Sequence, residues 1–486
     1  MARIDCDVVV AGAGPSGAAA AIHLSRAGFR VILADTRVFP RDKVCGDFVS
    51  PVALRELRDL GVAELAEYRS SHRIRSAAVH VDGEHLMTSP MPKAGRLAAH
   101  GRVIPRKALD EWIVRRATTS GADLREGYRV EAFEALRDHI NISVRHAGRP
   151  LTLRARVLIA ADGSSSLIAR LLRGRGVPDE DRIIAVRGYF EGVEGPPNRA
   201  DIYFSNRIFP GYYWLFPTGR TSANVGVGLA SGTFPPSGEH LRTVLVDLIQ
   251  QDSALRERLG NARLVGDIVG WPLTTYDDTL PITGERVLLA GDAAGLINPL
   301  NGEGIQYALL SGRWAAEAVA RCAESNDFSA DALAAYAARV SSELRYDMTV
   351  ARTILQLIRN RGLNRLWLEA VKIIAARAAV DPDYAAITGG VLAGIVPVRR
   401  VASVDVIYRT IQQAAVTLGI TALKEAMKGP AHLLRLGAAA AASAAETGAT
   451  MVENRDASVK WGVGLAQSAI GLADEYRKDR RRRLAK

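Results

Sequence analysis

The chain has 486 residues, of which 48% are hydrophobic and 24% are charged. These are values of folded globular proteins, so disordered and fibrous classes are excluded, and the length exceeds what one ordinary core supports. The formal net charge is +11, but 54 of the 63 basic residues are arginine. Such a bias can arise from nucleotide composition alone, and we predict no nucleic-acid partner.

The cysteines and the N-terminus indicate the compartment. Cys6, Cys45 and Cys322 are far apart and form no CxxC pair, which argues against a disulfide framework and against a metal site. No signal-peptide pattern precedes the first strand, and no apolar run approaches about 18 residues. We therefore expect a cytoplasmic protein. The basic run 477–483 leaves open either a solvated tail or peripheral contact with the cytoplasmic membrane.

The first predicted strand, over residues 7–11, leads directly into a glycine-rich turn and a helix over residues 18–27. In this turn Gly12 permits a tight bend, Gly14 leaves room for a pyrophosphate, and Gly17 allows close packing of helix and strand. A second buried strand, over residues 31–34, ends at Asp35, where a carboxylate can accept both ribose hydroxyls. Together these features predict a dinucleotide-binding site.

Two further buried strands end in an aspartate. The strand over residues 157–161 is followed by Asp162 and Gly163, a pair that is also a common helix-start signal. The strand over residues 287–291 is followed by Asp292, and residues 298–304 open a long helix over 305–320. The repeated arrangement points both carboxylates and a second helix N-terminus toward the same crevice.

The remaining elements are taken in chain order. A polar loop over residues 37–51 contains Cys45 and Gly46 and precedes a helix over 53–60. Short strands over residues 72–104, a helix over 108–120 and a meander over 128–155 follow. Residues 183–275 read as strands, in which Tyr212, Trp214 and Phe216 share one face because side chains repeat every two residues. Beyond residue 327 we predict helices, including 333–351 and 355–379.

These elements predict an α/β protein with α+β insertions. A Rossmann-like nucleotide domain covers residues 1–180 and 276–325, with a short β insertion near 72–104. An antiparallel substrate domain covers 181–275, and a helical C-terminal region covers 326–486.

Four segments together resemble the geranylgeranyl reductase family, whose FAD-containing, glutathione reductase-like fold also holds aromatic hydroxylases and halogenases. They are the turn 12–17, the loop 39–46 with Pro51, the aromatic strand 210–217 and the segment 291–304. The resemblance extends over roughly residues 5–400. It implies that the dinucleotide is FAD.

The resemblance also implies roles for individual residues. Asp35 would bind the ADP half, Asp292 the ribityl or pyrophosphate region, and Arg106 the phosphate or ribityl region. Cys45 would lie beside the flavin ring, and the aromatic face would line an apolar tunnel. The implied cofactor-binding residues are Gly12, Gly14, Ser16, Gly17, Asp35, Arg41, Cys45, Gly46, Arg106, Val130, Asp162, Asp292, Gly302, Gly304 and Ile305. The implied catalytic residues are Cys45, Tyr212 and Trp214.

Members of the family reduce C=C bonds of isoprenoid chains by hydride transfer from reduced flavin. A prenyl diphosphate, a prenylated quinone and an isoprenoid lipid all remain open as substrates. The proton donor is Cys45, Tyr212 or water, and the reductant is NAD(P)H or a protein such as ferredoxin. One alternative is an FAD-dependent monooxygenase, a hydroxylase or epoxidase acting on an apolar or aromatic compound. A second is a non-catalytic flavoprotein that is tethered by its basic tail.

Overall fold

In the computed structural model, residues 4–178, 182–233, 238–428 and 455–484 are described, together with single positions between 432 and 452. The strands are, in chain order, β1 (Val8–Ala11), β2 (Val31–Asp35), β3 (Phe48–Val49), β4 (His72–Ile74), β5 (Ser76–Val81), β6 (Glu84–Pro90), β7 (Gly101–Val103), β8 (Asp123–Glu126), β9 (Tyr128–Ala135), β10 (Ile140–His146), β11 (Arg149–Ala155), β12 (Val157–Ala160), β13 (Arg182–Glu191), β14 (Arg199–Phe204), β15 (Tyr212–Pro217), β16 (Ser222–Ala230), β17 (Arg263–Thr274), β18 (Thr283–Gly284) and β19 (Val287–Leu289).

The α-helices of the described residues are α1 (Pro15–Arg26), α2 (Pro51–Asp59), α3 (Ala66–Ser70), α4 (Arg106–Thr119), α5 (Leu167–Arg173), α6 (Leu241–Gln251), α7 (Ser253–Leu259), α8 (Ile305–Ser325), α9 (Ala330–Ile358), α10 (Asn364–Val380), α11 (Pro382–Leu392), α12 (Val404–Met427) and α13 (Arg455–Leu484). Short 3₁₀ turns cover Val62–Glu64, Gly291–Ala294, Arg361–Leu363 and Val398–Arg400. Within the described residues, no helix has both the length and the apolar character needed to cross a bilayer.

The chain forms two compact units. The first comprises residues 1–73, 95–187 and 269–348, and the second comprises residues 74–94, 188–268 and 349–486. The predicted division into three parts differs from this one, because the β5–β6 hairpin and the C-terminal helices both belong to the second unit.

The first unit is built on a six-stranded sheet in the order β18-β19-β12-β1-β2-β8. Strand β1 pairs in parallel with β2 and β12, and β12 pairs in parallel with β19. All residues of β1, β2, β12 and β19 are buried, which explains why their sequences are continuously apolar rather than alternating. The carboxyl ends of β1, β2, β12 and β19 therefore meet at one edge, where ligands bind in open sheets of this type.

Two smaller sheets complete the first unit. Strands β9, β10 and β11 form the predicted antiparallel meander, and β3, β7 and β4 form another three-stranded sheet. Helices α1 and α8 pack closely, since a Cβ at Gly312 of α8 would overlap the carbonyl oxygen of Ser16 in α1. This contact places the first turns of two helices near the same sheet edge.

The second unit contains β5, β6, β14, β15 and β16 and parts of β13 and β17 from a seven-stranded sheet in the order β17-β13-β16-β15-β14-β5-β6. Pairing is antiparallel from β14 to β16 and within the β5–β6 hairpin, but β5 and β14 are parallel. The insertion predicted near residues 72–104 thus contributes two strands to the substrate sheet. Its pairing with β14 joins segments more than 100 residues apart, which local patterning does not encode.

Two predictions about secondary structure were wrong. Residues 183–275 contain the helices α6 and α7 as well as strands, with Asp252 capping α7 through the N–H of Leu255 at 2.8 Å. The break predicted between residues 351 and 355 is absent, because α9 continues to Ile358 and the turn follows at Asn360. The helical pattern of apolar residues runs on through this region, so the pattern alone does not mark the residue at which the helix ends.

Candidate functional site

The turn after β1 has the backbone geometry of a phosphate cradle. Gly12 has φ +98°, and a Cβ added there would overlap the carbonyl oxygen of Ala161. A Cβ at Gly17 would likewise overlap the carbonyl oxygen of Gly12. At Gly14 the nearest atom to an added Cβ is Nη2 of Arg41, at 3.7 Å. Space is therefore open at Gly14, directly at the N-terminus of α1, where a phosphate is stabilised by backbone N–H groups.

Asp35 is held at the end of β2 by backbone donors. Its Oδ2 accepts from the N–H of Ala13 and its Oδ1 from the N–H of Arg37, both at 2.8 Å. Arg41 donates to Oδ2 at 3.2 Å. Because a carboxylate has about four acceptor positions, these bonds orient Asp35 while leaving capacity for ribose hydroxyls.

A buried ion-pair chain extends from Asp35 to the loop that contains Cys45. Arg41 donates to Asp110 at 2.9 Å, and Arg106 donates to the same carboxylate through Nε and Nη2 at 2.7 and 2.8 Å. Burial alone would lower the pKa of Arg106, but Asp110 raises it, so the guanidinium stays charged. The backbone N–H of Arg106 also donates to Asp47 at 3.3 Å. Three acids, Asp35, Asp47 and Asp110, and two arginines thus fix the position of residues 41–47.

Asp292 lies at the start of the 3₁₀ turn after β19 and is bonded from two sides. Lys43 donates to its Oδ2 at 2.7 Å and Ser164 donates to the same atom at 3.1 Å. Burial alone would raise the pKa of Asp292, but Lys43 and Arg106 hold it below its ordinary value. The carboxylate is therefore ionised at neutral pH and can accept hydrogen bonds from a polyol.

The N-terminus of α8 opens beside Asp292. Gly302 has φ +69°, Gly304 is the residue before the helix, and a Cβ at Gly304 would lie 3.6 Å from Oδ1 of Asp292. Ile305 begins the helix and is buried. Helix N-termini stabilise negative charge, so the first turn of α8 suits the N1/O2 edge of a reduced flavin.

Cys45 lies in the loop between β2 and β3, next to Gly46. Its Sγ is partly buried and accepts from the N–H of Asp47 at 3.3 Å. Burial raises the pKa of the Cys45 thiol. The thiol therefore keeps its proton at neutral pH, which suits a proton donor better than a nucleophile.

Other predicted cofactor residues have clear structural contacts. Asp162 accepts from the hydroxyl of Ser166 at 2.5 Å and from the N–H of Leu167 at 3.0 Å, so it supports the N-terminus of α5, whose N-cap is Ser166. Burial raises the pKa of Asp162. Val130 pairs with Val144 in the meander and packs against the core of the first unit. Ser16 is buried in the first turn of α1.

The predicted aromatic face is present in the second unit. Successive ring centroids along it are 6.0 to 6.2 Å apart. Two rings from β14 and the turn before β15 extend it beyond the three that the sequence indicated. In spatial order the rings are those of Phe209, Phe204, Tyr212, Trp214 and Phe216. We call this set the aromatic strip.

The residues of the first unit fit FAD. The open position at Gly14 with Arg41 beside it suits a pyrophosphate, Asp35 suits a ribose, and Asp292 with the first turn of α8 suits the ribityl chain and the ring edge. Within the described residues, no group of three His, Cys, Asp or Glu side chains could hold a metal ion.

Comparisons with known proteins agree with this site. Residues 5–188 match the FAD binding domain, and residues 181–264 match the geranylgeranyl reductase catalytic domain. A menaquinone reductase of Mycolicibacterium smegmatis is 32% identical over 332 residues, which cover 64% of this chain and 75% of that protein. The chain belongs to the geranylgeranyl reductase family. The predicted resemblance is thus confirmed, and the protein is an FAD-dependent oxidoreductase of the type that reduces C=C bonds of isoprenoid chains.

One further relative and two solved structures are also similar to this chain. A digeranylgeranylglycerophospholipid reductase of Methanopyrus kandleri is 31% identical, with 73% of this chain and 91% of that protein covered. A geranylgeranyl bacteriochlorophyll reductase-like structure from Thermoplasma acidophilum has a TM-score of 0.63 at 24% identity, covering 84% of this chain and 95% of that one. A flavin-dependent brominase has a TM-score of 0.66 at 20% identity, with coverage of 85% and 99%, and shares the fold alone.

Sequence reasoning gave no role to several residues that shape the site. Asp110 could have been found, because it lies four residues after Arg106 on α4 and the two charges are opposite. Lys43 was noticed in the loop, but its partner Asp292 lies 249 residues away. No local sequence pattern marks Ser164 or Glu303 as part of the site, because their neighbours come from distant segments that meet only in the folded chain.

Proposed function

We propose that this protein uses bound FAD to saturate C=C bonds in the polyprenyl side chain of a quinone. The observation that carries the proposal is the convergence of the Gly14 cradle, Asp35, Asp292 and the first turn of α8 in one unit, within a member of the geranylgeranyl reductase family. The choice of a quinone is supported by menaquinone reductases that are 32% and 34% identical to this chain.

The chemistry requires a hydride and a proton. Reduced FAD, when bound, supplies the hydride to one carbon of the double bond. We assign the proton for the other carbon to the Cys45 thiol, since burial raises its pKa and keeps the proton in place. In this step the S–H bond breaks as the second C–H bond forms, and the thiolate is reprotonated from solvent. Tyr212 and an ordered water remain the other candidates.

The aromatic strip would bind the isoprenoid chain. Its rings form one continuous row, in which Phe204, Tyr212 and Phe216 are partly exposed and Phe209 and Trp214 are buried. The one polar atom of Trp214 is already satisfied, because Nε1 donates to Asn224 at 2.9 Å. An alkene carries no group for hydrogen bonding, so orientation must come from apolar contact along the chain. A surface of rings in one row provides such contact without fixing the length of the substrate.

Mass spectrometry of lipids from cells with and without the protein tests the substrate. Each reduced bond adds two hydrogens, so the quinone fraction should shift in mass when the protein is present. Quinones of unchanged mass together with shifted prenyl diphosphates or glycerolipids would reassign the substrate. Activity that requires oxygen would instead indicate a monooxygenase.

The source of electrons is NAD(P)H or a carrier protein such as ferredoxin. Gly226 and Gly228 lie within β16, which continues to Ala230 instead of turning directly into a helix, so they do not form a second dinucleotide cradle. Anaerobic bleaching of the flavin spectrum by NADH, NADPH or reduced ferredoxin, each tested separately, identifies the donor.

We also propose that the protein acts at the cytoplasmic face of the membrane, through α12 and α13. One face of α12 packs inward through Val406, which is buried, and Thr410, which bonds Tyr384 at 2.7 Å. The opposite face carries large apolar side chains with exposed fractions from 47% to 85%. These side chains, which we call the α12 stripe, are Val404, Ile407, Tyr408, Ile411 and Leu418.

Charge supports a bilayer as the occupant of this stripe. The end of α13 exposes Arg477, Lys478, Arg480 and Arg481, and a basic segment gains about 1 kcal/mol per residue at an anionic surface. A polyprenyl quinone resides in such a membrane because of its apolar chain. The α12 stripe and the basic segment together provide the two kinds of contact that stable peripheral binding to a membrane requires.

Vesicle sedimentation tests the membrane proposal. The double variant Ile411→Asp/Leu418→Asp, and separately the deletion of residues 477–486, should each lower the fraction bound to phosphatidylglycerol-containing vesicles. Gln412→Asp, an exposed polar position on the same helix, is the matched control for added charge. Unchanged partitioning of all the variants would show that the surface does not bind lipid.

A further inference from the structure

Glu303 lies just before α8 with intermediate residue exposure, and its carboxyl group has no role in the mechanism described so far. It lies between Gly302 and Gly304, and its backbone N–H donates to Asn301 at 3.0 Å while its carbonyl accepts from Asn298 at 2.9 Å. Within the described part of the chain, its Oε1 is shielded from solvent and has no hydrogen-bond partner. An unpaired acceptor in such a position favours the protonated form of the acid.

The surroundings of the Glu303 side chain are almost uncharged. Burial raises the pKa of Glu303 to about 8, while the N–H of Gln306 and the hydroxyl of Ser50 act in the opposite direction. Tyr307 on α8 lies near it, and burial raises the pKa of that phenol as well, with Asp347 of α9 and Glu303 acting in the same direction. The nearest fixed charges of the cofactor site are the paired Lys43 and Asp292.

The same carboxyl group adjoins the loop that leads from Cys45. Ser50 is fully buried and donates to Oε1 of Gln306 at 2.9 Å, and it also caps α2 by accepting from the N–H of Ala53 at 3.3 Å. Glu303, Ser50 and Gln306 thus form a compact neutral cluster between the loop and the first turn of α8. A Cβ added at Gly304, the next residue, would lie 3.6 Å from Oδ1 of Asp292. The cluster is therefore adjacent to the part of the cofactor site that suits the flavin ring.

We propose that Glu303 binds a proton when the bound flavin is reduced, so that protonation of this carboxyl group and reduction of the flavin are coupled. The proposal rests on the proposed function, because it requires FAD at the first turn of α8. Reduction places two electrons and one proton on the flavin, which leaves one negative charge on the ring. Glu303 responds by taking up a second proton from solvent whenever it is ionised in the oxidised state, so the buried site keeps its total charge.

The direction of the effect follows from electrostatics. A unit negative charge about 10 Å away in protein raises the pKa of a carboxyl group by roughly one unit. Reduction therefore strengthens proton binding at Glu303, and proton binding in turn favours reduction, because the linkage is reciprocal. The coupling is visible around and between the pKa values of the oxidised and reduced states, where Glu303 is largely ionised before reduction and largely protonated after it.

Spectroelectrochemical titration of the FAD-loaded full-length protein tests this. Between about pH 6 and pH 8 the midpoint potential should fall by about 30 mV per pH unit, since one proton accompanies two electrons. Around the pKa of Glu303 the slope should steepen to roughly 45 mV per unit, because about half a further proton is taken up when the two pKa values differ by about one unit, and at higher pH it should return to about 30 mV per unit. Glu303→Gln should remove the break, whereas Glu324→Gln, an exposed position on the same helix, should leave it unchanged.

A second variant keeps the test decisive if Glu303→Gln binds FAD poorly. Ser50→Ala removes a hydroxyl that lowers the pKa of Glu303, so the break should move to higher pH. A constant slope in the unmodified protein, a break that persists in Glu303→Gln, or a break that Ser50→Ala leaves in place would each overturn the proposal. Failure of the protein to bind FAD at all would instead overturn the proposed function.

Discussion

Gly14 and Gly17 belong to the same turn but should fail for different reasons when replaced by alanine. A Cβ at Gly17 would overlap the carbonyl oxygen of Gly12 and lie 3.1 Å from Cβ of Ala161, so α1 must move away from β1. Such overpacking costs about 3 kcal/mol, and the better helix propensity of alanine returns about 1 kcal/mol. The net loss of about 2 kcal/mol corresponds to a fall in Tm of roughly 4–8 °C.

Gly14→Ala should behave in the opposite way. Its backbone, with φ −73° and ψ −175°, is allowed for alanine, and the added Cβ is 3.7 Å from Arg41. The stability of the apoprotein should therefore stay within about 0.5 kcal/mol. The methyl group occupies the position of the pyrophosphate, so the Kd for FAD should rise at least about tenfold, or 1.4 kcal/mol.

Two measurements on each variant separate these effects. Thermal unfolding without cofactor should show a lower Tm only in Gly17→Ala. Quenching of flavin fluorescence should show weaker FAD binding in Gly14→Ala. Wild-type affinity in Gly14→Ala would refute the placement of the pyrophosphate. Wild-type apoprotein stability in Gly17→Ala would refute the close contact between α1 and β1.

Three further predictions concern the site. Cys45→Ser should retain FAD but lower kcat about 10²-fold or more if the thiol donates the proton; full activity in stopped-flow assays would transfer that role to Tyr212 or water. Lys43→Met should destabilise the fold at pH 7 by roughly 2 kcal/mol. Because Lys43 helps to hold the pKa of Asp292 below its ordinary value, this stabilisation is present above the unfolded pKa of about 3.9 and is lost as pH falls through the folded pKa. The Tm values of the two proteins should therefore begin to approach each other as the pH falls below about 4 and should coincide only below the folded pKa of Asp292, whereas equal stability at pH 7 would contradict the ion pair. Trp214→Leu should raise KM for a polyprenyl substrate roughly tenfold with little change in flavin affinity, and an unchanged KM would remove the aromatic strip from substrate binding.

The parts of the site that could be predicted are those specified by contiguous sequence. The turn at Gly12 to Gly17, Asp35 at the end of β2 and the glycines before α8 each depend on a strand, a turn and a helix that follow one another directly. Their backbone requirements, such as φ +98° at Gly12, restrict the residue type at that position. Alternation along β15 likewise placed Tyr212, Trp214 and Phe216 on one face, because the side-chain period of a strand is fixed.

The parts that could not be predicted depend on segments that meet only after folding. Helices α6 and α7 were taken for strands because short apolar runs are ambiguous in period. The parallel pairing of β5 with β14 joins strands more than 100 residues apart. A local sequence pattern does not indicate which distant strand a given strand will pair with.

The amino-acid sequence by itself determined the dinucleotide cradle, because it follows from backbone conformations and side-chain spacings within short stretches. It indicated the family and the flavin chemistry through the resemblance of four such stretches to the geranylgeranyl reductase family. Only the tertiary structure decided which charges compensate one another: Lys43 pairs with Asp292, and Arg41 and Arg106 pair with Asp110. It also decided that burial raises the pKa of Glu303. The physical reason is that the protonation state of a group depends on burial and on neighbours within a few ångströms, and these neighbours come from distant parts of the chain.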